Sequence, residues 1–143
     1  MRIQSLNHST YQHQYHVVWG TKYRRKYLKP YVATTFCKAL EEELALYPTL
    51  ALLAVSTDED HVHLQLEIPP NVTVADVVRK LKVATSKEIY KAHPFIRRMY
   101  VERSVWSVGY FSSTVGLNEE VVRRYIEHQG KKELPQQVGF EFE

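Results

Sequence analysis

The stretch His61-Val62-His63-Leu64-Gln65-Leu66-Glu67-Ile68 alternates strictly between polar and apolar side chains. Successive residues of a strand point to opposite faces, so Val62, Leu64, Leu66 and Ile68 make an apolar side. His61, His63, Gln65 and Glu67 make a polar one. Before this strand, Leu50 to Ser56 is a short apolar run and Thr57-Asp58-Glu59-Asp60 is a polar turn. Two such runs across a short polar turn predict a β-hairpin. Pro69-Pro70 ends its second strand.

Upstream, Tyr11 to Gly20 is aromatic and β-branched and ends on glycine, which predicts a strand. Pro30 then precedes Tyr31 to Tyr47, where Ala33, Phe36, Cys37, Leu40, Leu44 and Tyr47 recur at helical spacing until Pro48. Downstream, Thr73 with Asp76 three residues on resembles a capping box, although Asp is a poorer partner there than Glu or Gln. The helix it opens carries Val74, Val77, Val78, Leu81 and Ala84 on one face and closes at Pro94. Val105 to Val115 reads as another strand, broken near Gly109. Asn118 can cap a last helix that runs to about Gln129 before Gly130, with Glu119 and Glu120 placed against its dipole.

The first six elements, strand-helix-strand-strand-helix-strand, are those of a ferredoxin-like split β-α-β, an α+β antiparallel sheet with two helices on one face. The last helix is an addition. The chain is expected to form one domain over 1–143, with its core at about 11–130 and a tail at 131–143.

Composition restricts the function classes. The 143 residues are 44% hydrophobic and 24% charged, with a net charge of +3, as in an ordinary globular domain. Cys37 is the sole cysteine, which excludes an internal disulfide and a cysteine-built zinc site and makes the cytoplasm the expected compartment. Met1 to Thr10 has no apolar core, and Leu44 to Val55 is interrupted by Pro48 and too short to span a bilayer, so no membrane partner is expected.

Charge is segregated along the chain. Six basic residues and no acid lie between Lys22 and Lys38; eight acids and no Lys or Arg lie between Ala39 and Val78. From Arg79 to Arg103 eight basic residues face two acids. Lys22-Tyr23-Arg24-Arg25-Lys26-Tyr27 interleaves cations with aromatics, a composition suited to phosphates and unpaired bases. It equally suits a solvated loop.

Two imidazoles separated by one pleat can share a divalent metal, although a bare His-x-His also describes two strand histidines with no ligand. Tyr125 and Gln129, four apart, lie on one face of the last helix, beside an apolar ridge of Val122 and Ile126. A tyrosine beside a metal can attack a phosphodiester, with Gln129 offering an oxygen ligand. With a pKa near 10, about one tyrosine in a thousand is ionised at pH 7. A core aromatic with a satisfied hydroxyl is the other reading of Tyr125; His128, on the same helix, reads as a general base or as a surface histidine.

Four blocks occur in this order: Tyr15-His16-Val17-Val18-Trp19-Gly20-Thr21-Lys22-Tyr23-Arg24-Arg25, Asp60-His61-Val62-His63-Leu64, Trp106-Ser107-Val108-Gly109-Tyr110-Phe111-Ser112-Ser113-Thr114-Val115-Gly116, and Tyr125-Ile126-Glu127-His128-Gln129. Together they resemble the HUH single-tyrosine transposases of IS200-like insertion sequences, over about Tyr11 to Gly130. The resemblance implies that His61, His63 and Gln129 hold Mg²⁺ or Mn²⁺ at a scissile phosphate of single-stranded DNA. It also implies that Tyr125 attacks to leave a 5′-phosphotyrosine and a free 3′-hydroxyl. It further implies imperfect DNA hairpins as the recognised ends, and a homodimer in which the tyrosine helix completes the other subunit's site.

On that reading Lys22, Arg24, Arg25, Lys26, Arg79, Lys82, Arg97 and Arg98 are expected to follow phosphates, and Tyr23 and Tyr27 to stack on bases. Glu67 and the Asp58-Glu59-Asp60 turn put negative charge near the metal strand, with their contact to it left open. Two alternatives share the same residues. His61 to Leu66 also resembles the histidine-triad nucleotidyl transferases, with His63 as nucleophile. A non-catalytic single-strand nucleic-acid binder is the other.

Overall fold

The computed structural model describes residues 4–6, 9–11, 13–101, 104–114 and 119–133. A small hairpin of β1 (Gln4–Leu6) and β2 (Ser9–Tyr11) comes first. It takes Tyr11 out of the expected first strand, which begins instead as β3 (Gln14–Gly20). There follow a 3₁₀ turn at Lys22–Arg24, α1 (Pro30–Leu44), β4 (Ala51–Thr57), β5 (His61–Glu67), α2 (Val74–Ala92), α3 (Pro94–Met99), β6 (Phe111–Ser113) and α4 (Glu119–Glu133). The main sheet has the order β4-β5-β3-β6 and every pairing is antiparallel. With β1–β2 set aside, this is the expected ferredoxin-like arrangement.

Local chemistry explains the element ends. Pro30 occupies the first turn of α1, where its missing N–H removes no helical bond. The Thr73 hydroxyl accepts from the Asp76 N–H at 3.1 Å and so caps α2. Pro94 ends α2 as expected, but it also opens the short α3, being tolerated in a first turn.

Val62, Leu64 and Leu66 of β5 and Val17 and Trp19 of β3 are wholly buried against Phe36 and Leu40 of α1 and Val78 and Leu81 of α2. Trp106 joins this layer edge-on to Trp19 and Phe36, with ring centroids 5.8 and 5.5 Å apart.

The expected strand over Val105 to Val115 is mostly not a strand. Its start pairs once with the sheet, at Thr21 and Trp106, and the ladder resumes only at Phe111–Ser113 opposite His16–Val18. Between them Gly109 takes a left-handed φ of 89°, which turns the chain away from β3. Lys82 Nζ supports this detour, donating to the carbonyls of Ser107 (2.6 Å) and Gly109 (3.0 Å).

The added helix α4 covers the sheet face opposite α1 and α2. Ile126 is its buried anchor, and a Cβ built on Gly20 would stand 3.4 Å from Ile126 Cδ1. The proposed cap Asn118 and tail residues 134–143 lie outside the described residues. Among the described residues no helix is long and apolar enough to cross a membrane.

Candidate active site

Strand register assembles the polar face. Val18 lies opposite His63, Gly20 opposite His61 and His16 opposite Gln65, so these six residues share the side covered by α4. His61 and His63 line a cleft of about 670 Å³, walled by the β4–β5 turn, by Arg24 and Lys26, and by Val122, Arg123 and Ile126 of α4. The apolar ridge read from the sequence therefore docks the helix beside the histidines.

Each imidazole has a defined partner. His61 Nδ1 lies 2.9 Å from Asp60 Oδ1. His63 Nε2 lies 3.2 Å from His16 Nδ1, a partner that the sequence reading missed. Burial, followed by the neighbouring His16 and His61, lowers the His63 pKa from its ordinary 6.5, which favours the neutral, ligating form at pH 7.

Two imidazoles, one backed by a carboxylate, suit a divalent transition metal or Mg²⁺ that completes its shell with phosphate oxygens and water. Among the described residues no group of three or more His, Cys, Asp or Glu side chains is placed to hold a metal. Gln129 lies on α4, but its side chain is outside the described set.

Glu67 is fully buried and sits opposite Gln14, four residues along the strand from His63. At about 3.3 Å per residue that is roughly 13 Å, too far to ligate the same ion. Glu59 pairs with Lys29 at 2.9 Å, and the Asp58 carboxylate accepts the Glu59 N–H.

Tyr125 reaches the same sheet face from α4. Its half-buried ring stacks on Phe111, with centroids 6.1 Å apart at 29°. Phe111 lies opposite Val18 and Val18 opposite His63, which places the tyrosine two strands from that histidine. Its neighbour His128 is exposed.

The basic residues divide. Lys26 opens on the cleft, and Arg24 lies there too but is paired with Asp60 at 3.0 Å. The Arg25 guanidinium lies over the rings of Tyr23 and Tyr100, at 5.4 and 5.3 Å, and donates to the Met99 carbonyl. Lys22 Nζ also stands over the Tyr23 ring, 5.6 Å from its centroid. Tyr27 corrects its expected role. It is 3% exposed, packed between Tyr100 and Trp106, with its hydroxyl donating to the Val105 carbonyl at 2.8 Å. No base can reach that ring. Lys82 is likewise a strut for the Ser107–Gly109 detour rather than an open phosphate ligand. Arg79, Arg97 and Arg98 are exposed on α2 and α3, in the layer behind the sheet, Arg79 beside Asp76 at 3.6 Å and Arg97 donating to the Tyr90 carbonyl. The two basic tracts thus do not meet around the histidine cleft.

Two outcomes follow from this packing. A Cβ at Gly20 would sit 3.4 Å from both Ile126 Cδ1 and Ser107 Oγ, so Gly20→Ala should be accommodated while Gly20→Leu wedges α4 off the sheet. Hydrogen exchange should then show α4 amides losing protection in Gly20→Leu, with β3 and β5 still protected.

The second concerns acid. His63 and His93 are both held below 6.5, mainly by burial, so the unfolded chain binds their protons more readily. Stability should fall as pH drops from 6.5 toward their folded values. Asp60, held below its ordinary 3.8 chiefly by the His61 hydrogen bond, contributes stability that is complete above that value and lost as pH falls through the folded one. Urea midpoints measured from pH 7.5 to 3 should decline in these two windows.

Residues 9–129 match the family described as "Transposase IS200 like". The transposase for insertion sequence element IS200 of Salmonella typhimurium is 31% identical over 125 residues, covering 87% of this chain and 82% of the relative. The ISDra2 transposase TnpA of Deinococcus radiodurans is 32% identical over 124 residues, 86% of this chain and 88% of its own. In structure, a candidate transposase from Deinococcus radiodurans superposes with a TM-score of 0.76 at 27% identity, over 88% of this chain and 97% of the other. A REP-associated tyrosine transposase bound to a REP hairpin shares the fold at a TM-score of 0.53 and 12% identity, over 86% of this chain and 69% of that one. With the family match over residues 9–129 and relatives 31% and 32% identical over most of their length, this chain belongs to the IS200-like transposase family.

Proposed function

We propose that this chain cleaves and rejoins single-stranded DNA at the hairpin-bearing ends of an insertion element, through a covalent tyrosine intermediate. The observation that carries the reading is the convergence of His61 and His63 in a cleft closed by α4, the helix that bears Tyr125. The REP-hairpin complex of the structural neighbour supports a folded DNA end as the ligand.

His61, His63 and Gln129 would hold Mg²⁺ or Mn²⁺. When bound, the ion polarises the scissile phosphate and offsets its developing charge. The Tyr125 oxygen attacks phosphorus and gives up its proton to solvent; the P–O3′ bond breaks, and the departing 3′-oxygen takes up a proton from solvent to become the free hydroxyl. The 5′-phosphotyrosine so formed retains one phosphodiester for the one broken. A second strand's 3′-hydroxyl can therefore attack it, expel the phenol and rejoin DNA without ATP. Lys26 offers a cation on the cleft for the backbone, and the preceding turn offers the Tyr23 ring, with Arg25 over it, for an unpaired base.

The seat of Tyr125 on Phe111, two strands from His63, supports a homodimer in which the helix serves the partner copy's histidines. A monomer by light scattering with activity intact would remove that arrangement. The chemistry is tested by incubating the protein with a hairpin-containing single strand and Mn²⁺, digesting it, and mapping the adduct by mass. Attachment at Tyr125 is expected. Attachment at His63 would indicate the histidine-triad chemistry, and hairpin binding without cleavage a non-catalytic binder.

A further inference from the structure

Asp60 ends the β4–β5 turn immediately before His61, and its side chain is 11% exposed. Both of its oxygens are engaged. Oδ1 lies 2.9 Å from His61 Nδ1; Oδ2 accepts from Arg24 Nη2 at 3.0 Å and from Arg24 Nε at 3.3 Å. A carboxylate beside a guanidinium is ionised and can only accept, so the hydrogen it shares with His61 belongs to the imidazole. A neutral imidazole has a single N–H. With that hydrogen on Nδ1, the lone pair of His61 is on Nε2.

The backbone is bent to make this pairing. Tyr23 and Arg24 have φ of 60° and 55°, left-handed values that side-chain-bearing residues rarely adopt and that persist only where surroundings enforce them. Thr21 supplies the enforcement. Its N–H donates to the Asp60 carbonyl at 2.9 Å, its hydroxyl lies 2.8 Å from the Arg25 carbonyl and 3.2 Å from that of Asp60, and its own carbonyl accepts the Arg24 N–H at 3.0 Å. The same turn is therefore tied to Asp60 through main chain and side chain together.

We propose that Asp60 and Arg24 are positioning residues for the metal site. Arg24 orients the carboxylate, and the carboxylate holds His61 as the Nδ1–H tautomer with Nε2 free to ligate. Backing of this kind raises the basicity of a ligand histidine and fixes its ring. On this proposal the Asp60 carboxylate, held by Arg24 and His61, acts through His61 rather than on the metal. The inference rests on the reading of His61 as a ligand and goes beyond it.

The test compares wild type, Asp60→Asn and Arg24→Gln in two measurements. Without metal, side-chain ¹⁵N chemical shifts of His61 report its tautomer; with Mn²⁺ added, calorimetry reports affinity. Wild type should show the Nδ1–H form. Asp60→Asn should shift it toward Nε2–H and weaken Mn²⁺ binding roughly 10- to 100-fold, with Arg24→Gln moving both in the same direction by less. The amide spectrum checks that each variant is folded, and Arg24→Gln, altered on the cleft surface, stands in should Asp60→Asn unfold. An unchanged tautomer, or Mn²⁺ affinity within twofold of wild type in a folded variant, overturns the proposal. Loss of Mn²⁺ with the tautomer unchanged also overturns it, by making Asp60 a direct ligand. Failure of wild type to bind Mn²⁺ would instead refute the metal reading beneath it, and the metal-free tautomer distinguishes the two.

Discussion

Tyr125→Phe should reduce strand cleavage by roughly 10⁴-fold or more, to the background of a denaturing-gel assay, while hairpin affinity stays within a few fold. The change deletes one oxygen and leaves the ring. Stacking on Phe111 involves the ring faces, and the helix is anchored by Ile126, so α4 should keep its seat. The substitution leaves the basic and aromatic groups of the Lys22–Arg25 turn unaltered, and they should still bind DNA. A loss confined to cleavage would identify the hydroxyl as nucleophile. Cleavage that persists in Tyr125→Phe would remove Tyr125 from that role, and a parallel loss of hairpin affinity would point to a structural one.

Trp106→Ala should cost about 3–5 kcal/mol of folding stability and lower Tm by roughly 10–20 °C. Trp106 is 1% exposed and meets Trp19, Phe36 and Tyr27 with its ring. Its indole N–H donates to Thr85 Oγ1 at 3.0 Å, so truncation opens a cavity and also removes that donor, leaving the hydroxyl its own bond to the Leu81 carbonyl. Against a total of about 5–15 kcal/mol for a domain, this is a large fraction. Val101, which is 94% exposed, offers the contrast: Val101→Ala should leave the urea midpoint unchanged within error. A cost below about 1 kcal/mol for Trp106→Ala would show that the aromatic layer is not part of the cooperative core.

These two predictions separate what is local from what is not. The alternation from His61 to Ile68, the Thr73 cap and the prolines at 30, 48 and 94 act over a few residues through side-chain period, hydrogen-bond geometry and a missing N–H. They are legible in one dimension, and the sheet, its two helices and the histidine pair follow from them. The four ordered blocks were equally legible as a family pattern, which the match over residues 9–129 bears out.

The aromatic and basic residues were less legible, because their type is compatible with both a surface and a core. Tyr23 and Tyr27 stand in the same tract, yet one lies among exposed cations and the other under Trp106. Lys82 shares the helical face of other lysines but is drawn to two carbonyls by a detour 25 or more residues away. Likewise the run from Val105 has strand composition throughout, but ladder bonds form only where β3 lies alongside it.

By itself, then, the sequence determined the element types, most of their ends and the two histidines of β5, because each rests on interactions within a turn of helix or a pleat of strand. Tertiary structure alone decided that His16 meets His63, that Asp60 is saturated by Arg24 and His61, that Glu67 is remote from the cleft, and that Tyr125 rests on Phe111. Each of those depends on strand register or helix docking, and slipping a strand by one residue would turn its own side chains among these to the other face.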